Sequence, residues 1–440
     1  MSHTISDSVP LGLYISVPFC RTKCSYCNFA SDVFSKSAYE NYVARLLEDI
    51  ANSHRLAADL GCVLEETADS IYLGGGTPSI LEAAQLLRIF ATVRSHFAIT
   101  PDAEITVECA PGTLTPTLIE TLLQGGVNRV SLGVQSFVDQ EAQSVGRLHK
   151  RLTVLEEIGR LRAAGLANIN IDLLAGLPHQ TTDSWAYSVS EMIATGVPHA
   201  SVYMLEVDED SRLGRELIAG GARYHARFVP NDDATADFYQ QVCEMLAAAG
   251  IVQYEISNFA RAAAPSCASE LRSNESRHNL KYWTRQPYVG FGVDAHSMLE
   301  RIPFAEGRAP SPVHVGTTAS GIEADRCQAV RFATPDSLDA YMNRAPRTVT
   351  PVSAQAALEE SFFLGLRLNR GIDIERLQQG AHPEVVAVWE SAIQQGMREG
   401  LLEQQGATLR LTARGRLLSN EVFARFLAEE KVGTGHVNPR

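Results

Sequence analysis

Six times in the first 260 residues a short, β-rich apolar run is followed by a helical or polar stretch, and this alternation constrains the fold more than any other feature of the chain. The runs are Leu13–Val17, Ser70–Leu73, Ile105–Cys109, Val127–Val134, Ala167–Leu174 and Ser201–Leu205. Amphipathic stretches lie between them, at Lys36–Ala58, Glu82–Phe97, Leu152–Ala164 and Asp183–Thr195. Strands that read as continuous apolar runs are covered on both faces, so the pattern predicts parallel strands with crossover helices, an α/β fold. Polar and glycine-rich signals follow the strand C-termini: GGGTPS after the second, Glu108 in the third, Gln135 after the fourth, Asp172 in the fifth. Side chains gathered at one end of several parallel strands predict a barrel-like sheet with its mouth at that end.

After Tyr254 the alternation stops. Residues 260–276 read as an exposed insertion and 304–320, rich in Pro, Gly, Ser and Thr, as a linker. From Ser353 the pattern is helical, then a hairpin (LLEQQGATLRLT), then a last helix over Gly415–Lys431. The expected domains are thus 1–260, an extension over 261–350, and a smaller, mostly helical, winged-helix-like domain over 351–440. That last domain has no basic recognition helix, and the chain carries 38 basic against 51 acidic residues, a net charge of −13. Both observations argue against a nucleic-acid partner. No apolar run approaches the roughly 20 residues needed to span a bilayer, and the polar start, MSHTISDSVP, lacks a signal-peptide core. A cytoplasmic protein is expected.

Three of the eight cysteines, Cys20, Cys24 and Cys27, fall within eight residues, spaced CxxxCxxC. In a reducing compartment a tight cluster of thiols signals metal binding or catalysis. Three thiolates can hold three irons of a cubane cluster and leave the fourth iron open to a small molecule. Structural zinc is the rival, but it takes four ligands from paired short motifs, and no second CxxC or HxxxH follows. The surrounding Pro18, Arg21, Lys23 and Asn28 are not core composition, so the iron–sulfur reading is favoured.

CxxxCxxC after the first strand of six such units, with Tyr26 just before the last cysteine, resembles the radical SAM superfamily. The resemblance implies a partial (β/α)6 TIM-like barrel. It also implies a 4Fe-4S cluster on Cys20, Cys24 and Cys27 with S-adenosylmethionine (SAM) at the open iron. Gly74-Gly75-Gly76-Thr77-Pro78 looks like the glycine motif that meets the SAM amino group. Tyr14, Tyr26, Phe29, Gly75, Gly76, Thr77, Glu108, Gln135, Arg147 and Asp172 are the SAM contacts implied.

GVQSF, IDLLAGLP, YEISNFA and LEESFFLGLRLNRGID, spread over most of the chain, resemble the oxygen-independent coproporphyrinogen III dehydrogenase family. Its true dehydrogenases carry a fourth cysteine two residues after the third; here that residue is Phe29. Its heme-chaperone subgroup has phenylalanine there and an HNxxYW motif, matched by His278-Asn279-Leu280-Lys281-Tyr282-Trp283. The resemblance implies heme as cargo, with His278, Tyr282 and Trp283 as its contacts. It implies transfer to an acceptor protein, a respiratory hemoprotein among the candidates, and it admits a homodimer and weak peripheral membrane docking. Read without it, a helical His278 and Tyr282 share one face, and a packing motif around a hydrogen-bonded histidine is the more economical reading. Phe29, the HNxxYW motif and the short N-terminus before the first strand set the expectation against dehydrogenase activity. Two features depart from the family: the 260–276 insertion with its Cys267, and Val293-Asp294 where a Pro-Gly pair is more common.

Overall fold

The computed structural model describes residues 9–262, 274–301 and 327–427, apart from 380 and 382. The linker expected at 304–320, most of the 260–276 insertion and Cys267 lie outside these residues.

The six expected strands form as β1 (Leu11–Val17), β2 (Thr67–Gly75), β3 (Ala98–Cys109), β4 (Arg129–Gln135), β5 (Ile169–Ala175) and β6 (His199–Met204). They pair in chain order, all parallel. The side chains of β1, β4 and β5 are almost wholly buried, as a sheet packed on both faces requires. This is the α/β partial barrel that the alternation predicts. β7 (Ile251–Gln253) and β8 (Asn258–Arg261) continue the sheet antiparallel beside β6. On the other edge β9 (Tyr288–Phe291) adds parallel to β1, followed by β10 (His296–Glu300), β11 (Cys327–Ala333) and β12 (Thr348–Ser353), giving one sheet of twelve strands among the described residues. Described residues of 261–350 therefore extend the barrel sheet itself.

Two compact units result. The larger runs to Tyr282 and includes Gln286–Val352; the smaller joins Trp283–Arg285 to the chain from Ser353 onward. The smaller holds helices Ala354–Gly365, Ile374–Gln379 and Pro383–Arg398 and a three-stranded sheet of β13 (Ile372–Asp373), β14 (Leu402–Gln405) and β15 (Thr408–Leu411). Phe362 packs between Trp389 and Phe426, with ring centroids 4.4 and 4.7 Å away. The expected last helix is shorter and broken: Ala413–Leu417 and Ser419–Ala424 flank Leu418, whose φ/ψ of −107°/29° lies outside the helical region.

A short helix, Arg277–Trp283, closes the N-terminal end of the barrel strands. Arg277 pairs with Asp102 (3.1 Å). The Lys281 ammonium, 2% exposed, pairs with Asp69 (2.7 Å) and donates to the Pro10 carbonyl (2.7 Å). The backbone N–H of His278 donates to Glu104 (3.2 Å). The stretch 277–282 thus forms the floor of the barrel, at the end opposite the glycine-rich loop.

Candidate functional site: a cavity at the barrel mouth

Each of the six parallel strands delivers something to one cavity of about 320 Å3 at its C-terminal end. β1 leads into the loop carrying Cys20, Cys24 and Cys27, β2 supplies Gly75 and runs into Gly76 and Thr77, and β3 supplies Glu108. β4 ends in Gln135, β5 carries Asp172 and β6 carries Tyr203. Tyr26, Phe29 and Arg147 complete the wall. All three expected cluster cysteines, and all expected SAM residues except Tyr14, line this one cavity. Tyr14 lies behind it, stacked on Tyr72 at 6.2 Å.

The cysteine loop is held from several sides. Cys20 N–H donates to the Asp32 carbonyl and Asp32 N–H to that of Pro18 (both 3.0 Å). Ser25 N–H reaches the Val145 carbonyl (3.1 Å), and Leu213 N–H returns to that of Ser25 (2.8 Å). Gly76 and Thr77 N–H donate to the carbonyls of Val17 and Phe19 (2.9 and 2.8 Å), fixing the glycine loop against the cysteine loop. A Cβ on Gly76 would lie 2.7 and 2.8 Å from those same oxygens, and Gly75 has φ +95°, so glycine is required at both.

The cavity holds an unusual set of buried charges. Tyr72 Oη donates to Glu108 Oε1 (2.8 Å). Burial, reinforced by the Asp172 carboxylate, pushes Glu108 up to about 7. Asp172 accepts from Asn170 Nδ2 (2.7 Å) and Ser131 Oγ (3.2 Å), yet burial still raises it. Burial opposes the Arg147 charge, but Tyr26 and Cys24 beside it more than offset this. Arg147 Nη2 donates to Tyr26 Oη (3.2 Å), while its buried Nε has no hydrogen-bond partner among the described residues. Gln135 is held at φ +70°, a conformation uncommon for a side chain other than glycine. Burial raises the thiols of Cys20 and Cys27.

These residues fit an iron–sulfur cluster with SAM. Three sulfur donors, Cys20, Cys24 and Cys27, line one cavity. Paired carboxylates and an orphaned guanidinium N–H suit a ligand with a cationic amine, a carboxylate and a ribose. Tyr72 and Tyr203 escaped sequence reading, because strands read as continuous apolar runs do not reveal which side chains face the barrel interior.

The heme residues expected from the sequence are arranged differently. His278 and Tyr282 share a helix face, but they bond each other: His278 Nε2 lies 2.8 Å from Tyr282 Oη, and Nδ1 lies 3.1 Å from Ser70 Oγ. The ring is 1% exposed, stacks on Tyr72 at 5.3 Å, and burial beside Lys281 drops it to about 3. Trp283 groups with the smaller unit, where the Arg367 guanidinium sits 4.2 Å over its ring. With both imidazole nitrogens occupied, His278 does not fit an axial iron ligand as it stands.

The family model described as the Radical SAM superfamily matches residues 14–191, and the one described as the HemN C-terminal domain matches 352–418. The heme chaperone HemW of Bacillus subtilis is 31% identical over 417 residues, 94% of this chain and 99% of that protein. HemW of Escherichia coli is 32% identical over 300 residues, covering 68% and 72%. The solved structure titled "Coproporphyrinogen III oxidase (HemN) from Escherichia coli is a Radical SAM enzyme" superposes with a TM-score of 0.75 over 95% of this chain and 90% of that one; at 20% identity it shows the shared fold. Likeness that runs through barrel, floor helix and C-terminal unit alike has one consequence: the chain belongs to the heme chaperone HemW family.

Proposed function

We propose that this protein binds heme and passes it to an acceptor protein, a hemoprotein in the cytoplasm or at the membrane surface, while carrying a 4Fe-4S cluster and SAM at the barrel mouth. The observation that carries the reading is the end-to-end similarity to proteins named heme chaperones. At the cavity, Cys20, Cys24 and Cys27 would hold the cluster, and Glu108, Gln135, Arg147 and Asp172 would orient SAM. When bound, such a cluster supplies a redox-active iron with an open coordination position. The chain's own residues keep Glu108 Oε1 as the acceptor of the Tyr72 hydroxyl, leaving a Glu108 proton to Oε2, and fix Arg147 through Tyr26. Phe29 stands where a dehydrogenase of the family carries its fourth cysteine; it is an exposed aromatic (65%) with no thiol to offer.

Two measurements test the reading. Anaerobically reconstituted protein is titrated with heme and followed by absorbance, then mixed with an apo-hemoprotein. Saturation near one heme per chain, followed by appearance of the acceptor's own heme spectrum, is expected. Uptake that climbs without saturating would overturn it, and decarboxylation of coproporphyrinogen III would then be the activity to assay. No helix among the described residues is long and apolar enough to cross a membrane.

A further inference from the structure

The cysteine loop has a second concave face. Arg21 and Lys23 from that loop, with Arg212 and Arg223 from the chain after β6, line a cleft of about 520 Å3. That volume lies within the roughly 300–1,000 Å3 usual for cofactor and small-molecule sites. Four cations here face one lining carboxylate, Asp32, on a chain whose net charge is −13. Their polar contacts run to backbone oxygens: Arg21 to Gly112 (3.3 Å), Lys23 to Phe29 (3.4 Å) and Arg212 to Lys23 (3.3 Å). Arg223 lies 5.3 Å over the Tyr224 ring. The cleft is also apolar where it is most open, at Val33 (55% exposed) and Leu148 (69%). An anionic, largely apolar ligand matches that lining.

One further residue of the cleft is His225. Its backbone is held at φ +61° by a built loop, in which the Glu216 carboxylate accepts from the N–H groups of Arg223, Tyr224 and Ala226 (2.8, 2.8 and 3.2 Å). His225 Nδ1 lies 3.2 Å from Nε2 of His179, a residue outside the cleft lining. The His179 ring lies tilted against Phe228 with centroids 4.1 Å apart, and burial lowers its pKa, favouring the neutral ring that can accept a hydrogen bond. A hydrogen bond from His225 Nδ1–H to His179 leaves the Nε2 lone pair of His225 for a metal, the arrangement by which a second imidazole orients a ligating one.

We propose that heme docks in this cleft, with His225 Nε2 on the iron, the two propionates on the cations formed by Arg21, Lys23, Arg212 and Arg223, and the macrocycle against Val33, Leu148 and Tyr224. The proposal rests on the heme-carrier reading above and names its site. Heme is then separated from the cluster cysteines by the thickness of one loop, and HNxxYW is floor rather than ligand.

The test is a ferric heme titration of the full chain, read by the Soret position and by dissociation constant. The variants are His225→Asn, which tolerates the left-handed backbone and keeps a donor toward His179, Arg212→Glu/Arg223→Glu, and His278→Gln. Melting curves and cluster iron content accompany each. His225→Asn is expected to lose about tenfold or more in affinity and to shift the Soret band, with added imidazole restoring the band. Arg212→Glu/Arg223→Glu is expected to weaken binding without moving the band, and folded His278→Gln to keep the native spectrum. A wild-type chain that saturates with one heme, alongside a folded His225→Asn with the same constant and spectrum, overturns the site and leaves the carrier function standing. A wild-type chain that never saturates removes both.

Discussion

Glu108 is poised to report what enters the cavity. Raised to about 7, it is roughly half-protonated at neutral pH in the ligand-free chain. Because its folded value exceeds the ordinary carboxyl range, the fold is favoured on the acid side, and that contribution fades as pH climbs from the unfolded value through about 7. A ligand bearing an ammonium group binds the carboxylate form, so SAM affinity is expected to rise as pH goes from 6 to 8, by at most about tenfold per unit below the transition. Glu108→Gln should flatten that slope and weaken binding at pH 8; calorimetric titration across pH reads both. Gly76→Ala makes a different point. Its Cβ would press on the backbone oxygens of Val17 and Phe19, so the cysteine loop must shift, and cluster iron and sulfide after reconstitution should fall well below stoichiometric. At this scale the sequence was readable where polar residues break apolar strands, as Glu108, Gln135 and Asp172 do. It was not readable at His278, because the pair His278/Tyr282 says nothing about the partner opposite it: Ser70, 208 residues away. Asp294, where the family more often has Gly, adopts φ +53° without a glycine.

The floor helix Arg277–Trp283 is the element whose packing partners the sequence reveals least. His278→Ala would remove the imidazole partner of the Ser70 and Tyr282 hydroxyls and open a hole beneath Tyr72. A loss of about 2–4 kcal/mol is expected, seen as a lower denaturant midpoint with an unchanged slope. A histidine serving only an exposed ligand would cost far less. Other elements differ from the sequence pattern for local reasons. The long helix expected over Lys36–Ala58 is divided at Asn52, whose side chain bonds the Glu48 carbonyl and whose ψ of 4° leaves the helical region. β3 begins at Ala98, seven residues before the expected start, because Ala98 and Ile99 already pair with Thr67 and Ala68, and a register shift between Ala68 and Ser70 carries the polar stretch 100–103 past the β2 ladder before Glu104 resumes it opposite Ser70. Such an irregularity has no periodic signature.

At the scale of the molecule, two units carry two cores. Phe362→Ala, in the smaller one, should remove about 3–5 kcal/mol from that unit while leaving cluster content and SAM binding at wild-type levels; differential scanning calorimetry with iron analysis separates the two. The alternation of the first 260 residues was enough to foresee the six-stranded barrel, since each unit is a local pattern. The added strands β9–β12 were not foreseen: they lack the strand–helix alternation, and they reach the barrel only through the pairing of β9 with β1, distant in sequence. That pairing has a temporal side. One edge of β1 is satisfied early by β2, but the other waits for Tyr288–Phe291, and the barrel floor waits for helix Arg277–Trp283. At ribosomal speed this interval is on the order of tens of seconds. Throughout it the emerging chain displays an apolar strand with a bare ladder of amides, the kind of edge on which neighbouring nascent chains stick together. A fragment ending near residue 260 would keep that edge for good, so it should aggregate on synthesis, however complete its six barrel strands are.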